Sequence, residues 1–76
     1  KLNFRVYPNP VTELLLIESD EEISSSFIIR NLHGEIVAEY PKVMKTLDVS
    51  NLINGVYFLH FVINDTPTMM KFVVAN

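Results

Sequence analysis

Few residues of this 76-residue chain have the chemistry of a reaction centre. Its two histidines are His33, in a predicted turn, and His60, in a predicted strand. A metal site gathers three or four N, O or S ligands. His60 has only Phe58 and Val62 as same-face neighbours, so the pair read as a turn residue and a sheet-face residue. The acid run Asp20-Glu21-Glu22 offers the carboxylate oxygens that Ca²⁺ takes. Its surroundings, Ser19 to Ser25, lack the alternating Asp/Asn ligands and central glycine of an EF-hand loop, and read as a solvated turn. Ser24, Ser25 and Ser26 have no Gly-x-Ser-x-Gly elbow. Two glycines cannot make a phosphate-cradling loop, and the absence of cysteine removes thiol nucleophiles, disulfides and thiolate metal sites. The remaining carboxylates lie in turns or at strand ends and imply no acid–base pocket. The residues therefore predict no enzyme, cofactor or metal. Three tyrosines and five phenylalanines could stack on sugars, but without tryptophan and on alternating strand positions they read as core.

Composition narrows the class. An apolar fraction of 49% supports one hydrophobic core and is too high for a disordered tail. A net charge of −3 argues against a nucleic-acid partner, which calls for a basic patch. No apolar run approaches the roughly 18 residues of a membrane span. A chain this short buries only about 60% of its unfolded surface, so modest stability is expected. No signal peptide is visible, and the sequence opens on Lys1 and soon meets a strand pattern. The expectation is one domain, residues 1–76, cut from a longer protein.

The stretch Asn54 to Ile63 organises the rest. Asn54-Gly55 is a turn signal whose glycine tolerates positive φ. Tyr57, Leu59, Phe61 and Ile63 then share one face, and Val56, Phe58, His60 and Val62 the other. That predicts a central strand covered on both sides. Phe4 to Tyr7 alternates as a first strand. Pro8-Asn9-Pro10 ends it, since neither proline can donate to a ladder, and forms a stiff corner suited to a change of sheet. Glu13 to Glu18 is a buried strand with Leu15 and Ile17 facing in. Ser26 to Arg30 and Glu35 to Tyr40 flank Asn31-Leu32-His33-Gly34 as a hairpin, with Gly34 left-handed and Phe27, Ile29 and Val37 in the core.

Pro41 to Met44 reads as a connection, and Thr46 to Val49 as a short strand with Leu47 and Val49 facing in. Ser50 to Gly55 predicts a single helical turn, capped by Ser50 and ended by Gly55. Leu52 and Tyr57 suggest a tyrosine corner, in which the hydroxyl bonds back to upstream backbone. Asn64 to Pro67 is a turn. Thr68 to Val74 is the last strand, with Met70, Phe72 and Val74 on one face and Met69, Lys71 and Val73 on the other. Ala75 and Asn76 belong to that strand or lie beside it. Seven short strands with turns every 8–12 residues are the pattern of a sandwich or small barrel.

These segments together resemble a known family. Val6-Tyr7-Pro8-Asn9-Pro10, Asn31 to Val37, Leu47 to Leu59 with its Leu52-x-x-Gly55-x-Tyr57 core, and Lys71-Phe72-Val73-Val74 resemble the type A C-terminal sorting domain of the type IX secretion system. The likeness runs the length of the chain. It implies an immunoglobulin-like antiparallel β-sandwich at the C-terminus of a protein secreted by bacteria of the Bacteroidetes group. It further implies a non-catalytic signal that passes through the periplasm and directs an N-terminal cargo across the outer membrane. Cleavage by a sortase-like surface peptidase then follows, with the cargo released or anchored at the surface. Pro8, Asn9, Pro10, Gly34, Gly55 and Tyr57 match its motifs. Lys71, Phe72, Val73 and Val74 match the terminal motif tied to recognition by the machinery, and the bare last strand suggests that a receptor adds a strand to its edge. Asn31 stands where the family more often has Asp, and Ala75-Asn76 where a basic residue is common. The alternative function is a spacer or carbohydrate-binding sandwich in a secreted multidomain protein.

Overall fold

Alternating side chains on nine-residue β6 (Gly55–Ile63) set the architecture: Tyr57, Leu59, Phe61 and Ile63 are buried and their neighbours half-buried. A computed structural model describes residues 4–23 and 26–76, so the reading of Ser24 and Ser25 as loop lies outside the described residues. The other strands are β1 (Phe4–Tyr7), β2 (Leu14–Ser19), β3 (Phe27–Arg30), β4 (Ile36–Tyr40), β5 (Thr46–Asp48) and β7 (Thr66–Val74). They form two antiparallel sheets, ordered β1-β2-β5 and β4-β3-β6-β7. This is an immunoglobulin-like sandwich in which the fourth strand joins the sheet of β3, β6 and β7.

Leu15, Ile17, Leu47 and Val49 meet Phe27, Ile29, Leu59 and Phe72 across one continuous core. Phe61 packs against the rings of Phe4 and Phe27, at 5.7 and 5.5 Å between centroids. Tyr57 stacks on Phe72 at 5.8 Å. The rings of Phe27, Phe61, Tyr57 and Phe72 are thus interior and present no sugar platform.

Several predicted details change. Val37 is 39% exposed. The β3–β4 register shifts between Ile29 and Arg30, which turns Ala38 and Tyr40 inward in its place, opposite Ile29 and Phe27. The β6–β7 turn is only Asn64-Asp65, both at positive φ (48° and 61°), the geometry of a two-residue hairpin. Thr66 and Pro67 therefore belong to β7, where Pro67 is tolerated because β7 is an edge strand. Gly34 has the expected positive φ of 81°. Gly55 does not, because it is already the first residue of β6. β6 is central in its sheet, but among the described residues no second layer lies over Val56, Phe58, His60 and Val62, which remain half-buried.

Candidate recognition surface

Strand register brings the motif segments to one end of the sandwich. Gly55 pairs with Val74, Arg30 with Phe58, and Leu14 with Asp48. The Pro8–Pro10 corner, the Asn31–Gly34 turn, the Asp48–Gly55 connection and the end of β7 therefore gather there. The turns Ser19–Ile23, Pro41–Lys45 and Asn64–Asp65 lie at the other end, where Phe4 pairs with Ser19.

Specific bonds hold the motif end together. The corner after β1 does carry the chain to the other sheet: Val11 bridges Val74 in parallel before β2 returns to its own sheet. The Asn9 side-chain oxygen accepts the Val73 N–H at 2.9 Å. Val11 N–H donates to the Val73 carbonyl at 2.8 Å, and Ala75 N–H to the Val11 carbonyl at 2.9 Å. The bonds Tyr7–Pro8 and Asn9–Pro10 are both cis. Asn9, between two φ-restricted prolines, uses its side-chain oxygen where a strand backbone would accept the Val73 N–H.

The Asp48–Gly55 connection is a turn rather than a helix. Leu52 N–H donates to the Val49 carbonyl at 3.0 Å. Ser50 is not its cap: the Asp48 carboxylate accepts both the Ser50 N–H at 2.9 Å and the Ser50 hydroxyl at 2.6 Å. Those two bonds hold the Asp48 carboxyl below its ordinary pKa. On the far side the Tyr40 hydroxyl donates to the Asp48 carbonyl at 2.7 Å. Burial, with the nearby Asp48 charge, raises the Tyr40 pKa. The tyrosine corner is present: the Tyr57 hydroxyl donates to the Ile53 carbonyl at 2.6 Å. Asn54 accepts the Asn76 N–H at 2.9 Å and ties the chain's last residue to this end.

Asn31 builds the β3–β4 turn, its side-chain oxygen accepting the N–H groups of His33 and Glu35 at 2.9 and 3.0 Å. Between this turn and the Asp48–Gly55 connection lies an open groove of about 510 Å³ with Leu32, Val37 and Ile53 in its walls. Ile53 is 81% and Leu32 66% exposed.

A family profile described as the secretion system C-terminal sorting domain matches residues 5–75. The chain belongs to that family. No curated protein and no solved structure matches it.

The motif residues of this sorting domain fall into two groups. Asn9, Gly34 and Tyr57 shape backbone, each through a bond or a φ value given above. Phe72 and Val74 are buried in the core, while Lys71 is exposed and Val73 half-buried on the outer face. The β7 edge is not bare along its length, because Asn9 and Val11 occupy it at Val73 and Ala75. Strand addition there is limited to the stretch before Val73. Sequence reasoning missed Val11, which is fully buried; its one signal is a lone apolar residue directly after the proline corner. It also missed the roles of Asp48 and Asn54 as side-chain acceptors, although both are residue types suited to turns. His33 is exposed in its turn and His60 half-buried on the outer sheet face. Among the described residues, no three His, Asp or Glu side chains converge. No helix is long and apolar enough to cross a membrane.

Proposed function

We propose that residues 1–76 act as one non-catalytic sorting unit that carries an N-terminal cargo region across the outer membrane through the type IX machinery. The observation that supports this most is the convergence of the motif segments on one end of the sandwich. β1 starts at the other end, so a preceding cargo would join there and leave the motif end free for the machinery. Transit proceeds through the periplasm in the folded state. A sortase-like surface peptidase then separates domain from cargo, which is released or anchored at the cell surface. Pro8, Asn9, Pro10, Gly34, Gly55 and Tyr57 serve by shaping the motif end, and the strand from Lys71 to Val74 carries the contact.

The test is an export assay. A fluorescent protein with a periplasmic signal is joined to residues 1–76 and expressed in a bacterium with a type IX system and in its translocon-deficient mutant. Export only in the competent strain is expected. Equal retention in both strains, with the fusion folded, would sink the sorting role.

A further inference from the structure

The outer face of the four-stranded sheet has a charge pattern unlike the rest of the chain. Phe58 stands at its centre, with Arg30 directly across on β3 and Lys71 directly across on β7. In the next row His60 lies between Ile28 and Met69. Neither Arg30 nor Lys71 has a carboxylate partner: among the described residues the ion pair is Arg5 with Glu18, on the other sheet. Arg30 instead donates to the Gly34 carbonyl at 2.8 Å. Of the nearby carboxylates, Glu35 accepts from the Asn31 side chain at 2.8 Å and Glu39 stands opposite Ile28 on β4, and neither forms an ion pair with Arg30 or Lys71 among the described residues. Two cations therefore flank an aromatic ring on a protein of net charge −3.

The face also carries a shallow, open hollow of about 250 Å³ between Arg30, Leu32, Phe58, His60 and Met69. Met69 is 58% exposed at its rim. Asn31 and Leu32 line both this hollow and the groove at the motif end, so the two lie side by side. An apolar hollow with Arg30 in its wall, and with Lys71 on the other side of Phe58, complements a surface that brings carboxylates and one apolar side chain.

We infer that this face is the contact for the machinery, and that its occupant is an acidic segment of a protein partner. Its carboxylates pair with Lys71 and Arg30, and an apolar side chain fills the pit beside Phe58. The inference rests on the sorting role proposed above and gives it an address. Lys71 and Val73 then act through the outward side of β7, while Phe72 and Val74 hold that strand from within. A side-chain-sized pit favours a protein partner over a lipid surface, which would leave it unfilled.

The same export assay tests this with exposed residues, whose replacement leaves the core intact. Lys71→Glu is expected to lower export about tenfold, the effect of about 1.4 kcal/mol of lost contact, with the fusion held folded in the periplasm. Met69→Asp should do the same. Lys71→Arg should stay within about twofold of the parent, and Lys45→Glu, at the opposite end, should have no effect. Export of Lys71→Glu and Met69→Asp at the parent's level would overturn the inference. Failure of the parent itself to be exported would instead overturn the sorting role. The purified fusion is also floated with phosphatidylcholine vesicles, with and without phosphatidylglycerol. Flotation that requires both phosphatidylglycerol and Lys71 would replace the protein partner by an anionic lipid surface.

Discussion

At the end of the sandwich that carries Gly55 and Val74, side chains hold backbone. Asn9 binds Val73, Asp48 binds Ser50, Tyr57 binds Ile53 and Asn54 binds Asn76. At the end that carries Asn64, the long-range bond joins two side chains, Asn64 to Glu21 at 2.9 Å, and the bond from the Ser19 hydroxyl to the Glu21 carbonyl at 2.7 Å is local. Two bonds of the first set fasten distant backbone, Asn9 to Val73 across 64 positions and Asn54 to Asn76 across 22. The contrast teaches that most motif residues of this sorting domain are builders. They shape and hold one end, and in the proposal above the partner reads what stands on the surface nearby.

Four measurements would break or sharpen that contrast. Phe72→Ala should have the largest effect, about 3–5 kcal/mol less stable in urea unfolding, because it leaves a cavity under the strand that bears Lys71. A loss of export with unchanged stability would show Phe72 to be a contact rather than a support.

Tyr57→Phe should follow, at about 1–2 kcal/mol, since the Ile53 carbonyl loses its donor at a part-buried site. Glu21→Ala, at the opposite end, should change stability by less than about 0.5 kcal/mol. Equal losses would erase the difference between the ends.

The two glycines separate builder from contact more finely. Gly34→Ala should lose about 1 kcal/mol, because φ there is +81°. Gly55→Ala should stay within about 0.5 kcal/mol. Its φ is ordinary, and an added Cβ would meet the Tyr57 ring at 3.8 Å, a normal contact. If Gly55→Ala folds normally yet loses export, the partner reads this glycine directly.

The smallest effect concerns acid. The Asp48 pKa is depressed in the fold by its bonds to Ser50. Its contribution is therefore present above the ordinary Asp pKa and is lost as pH falls through the depressed value. Asp48→Asn should lower stability slightly at neutral pH, leave it unchanged in strong acid, and so flatten the acid limb of a stability–pH curve. An unaltered acid limb would remove Asp48 from the fastenings of the motif end.

Much of this was legible in the residues. Alternation in Tyr57, Leu59, Phe61 and Ile63 fixes the inward face of β6 whatever lies opposite, because side chains alternate strictly along a strand. Gly34 and Tyr57 announce a left-handed turn and a tyrosine corner, the first by tolerating positive φ without a Cβ clash and the second by a hydroxyl that reaches back to backbone. The motif segments, read in order, carried the family. Other features required the fold. Val37 lost its place in the core to a one-residue shift in pairing, which no single strand encodes. Thr66 and Pro67 joined β7 because that strand lies at an edge, a property of sheet order. Asn9 and Val73 meet only when the proline corner crosses to the second sheet. The placement of Arg30 and Lys71 on either side of Phe58 likewise depends on two registers at once. Local pattern determined the strands, their inward faces and the turns. Pairing between residues far apart in sequence, set by packing of the whole core, decided which side chains share the outer face.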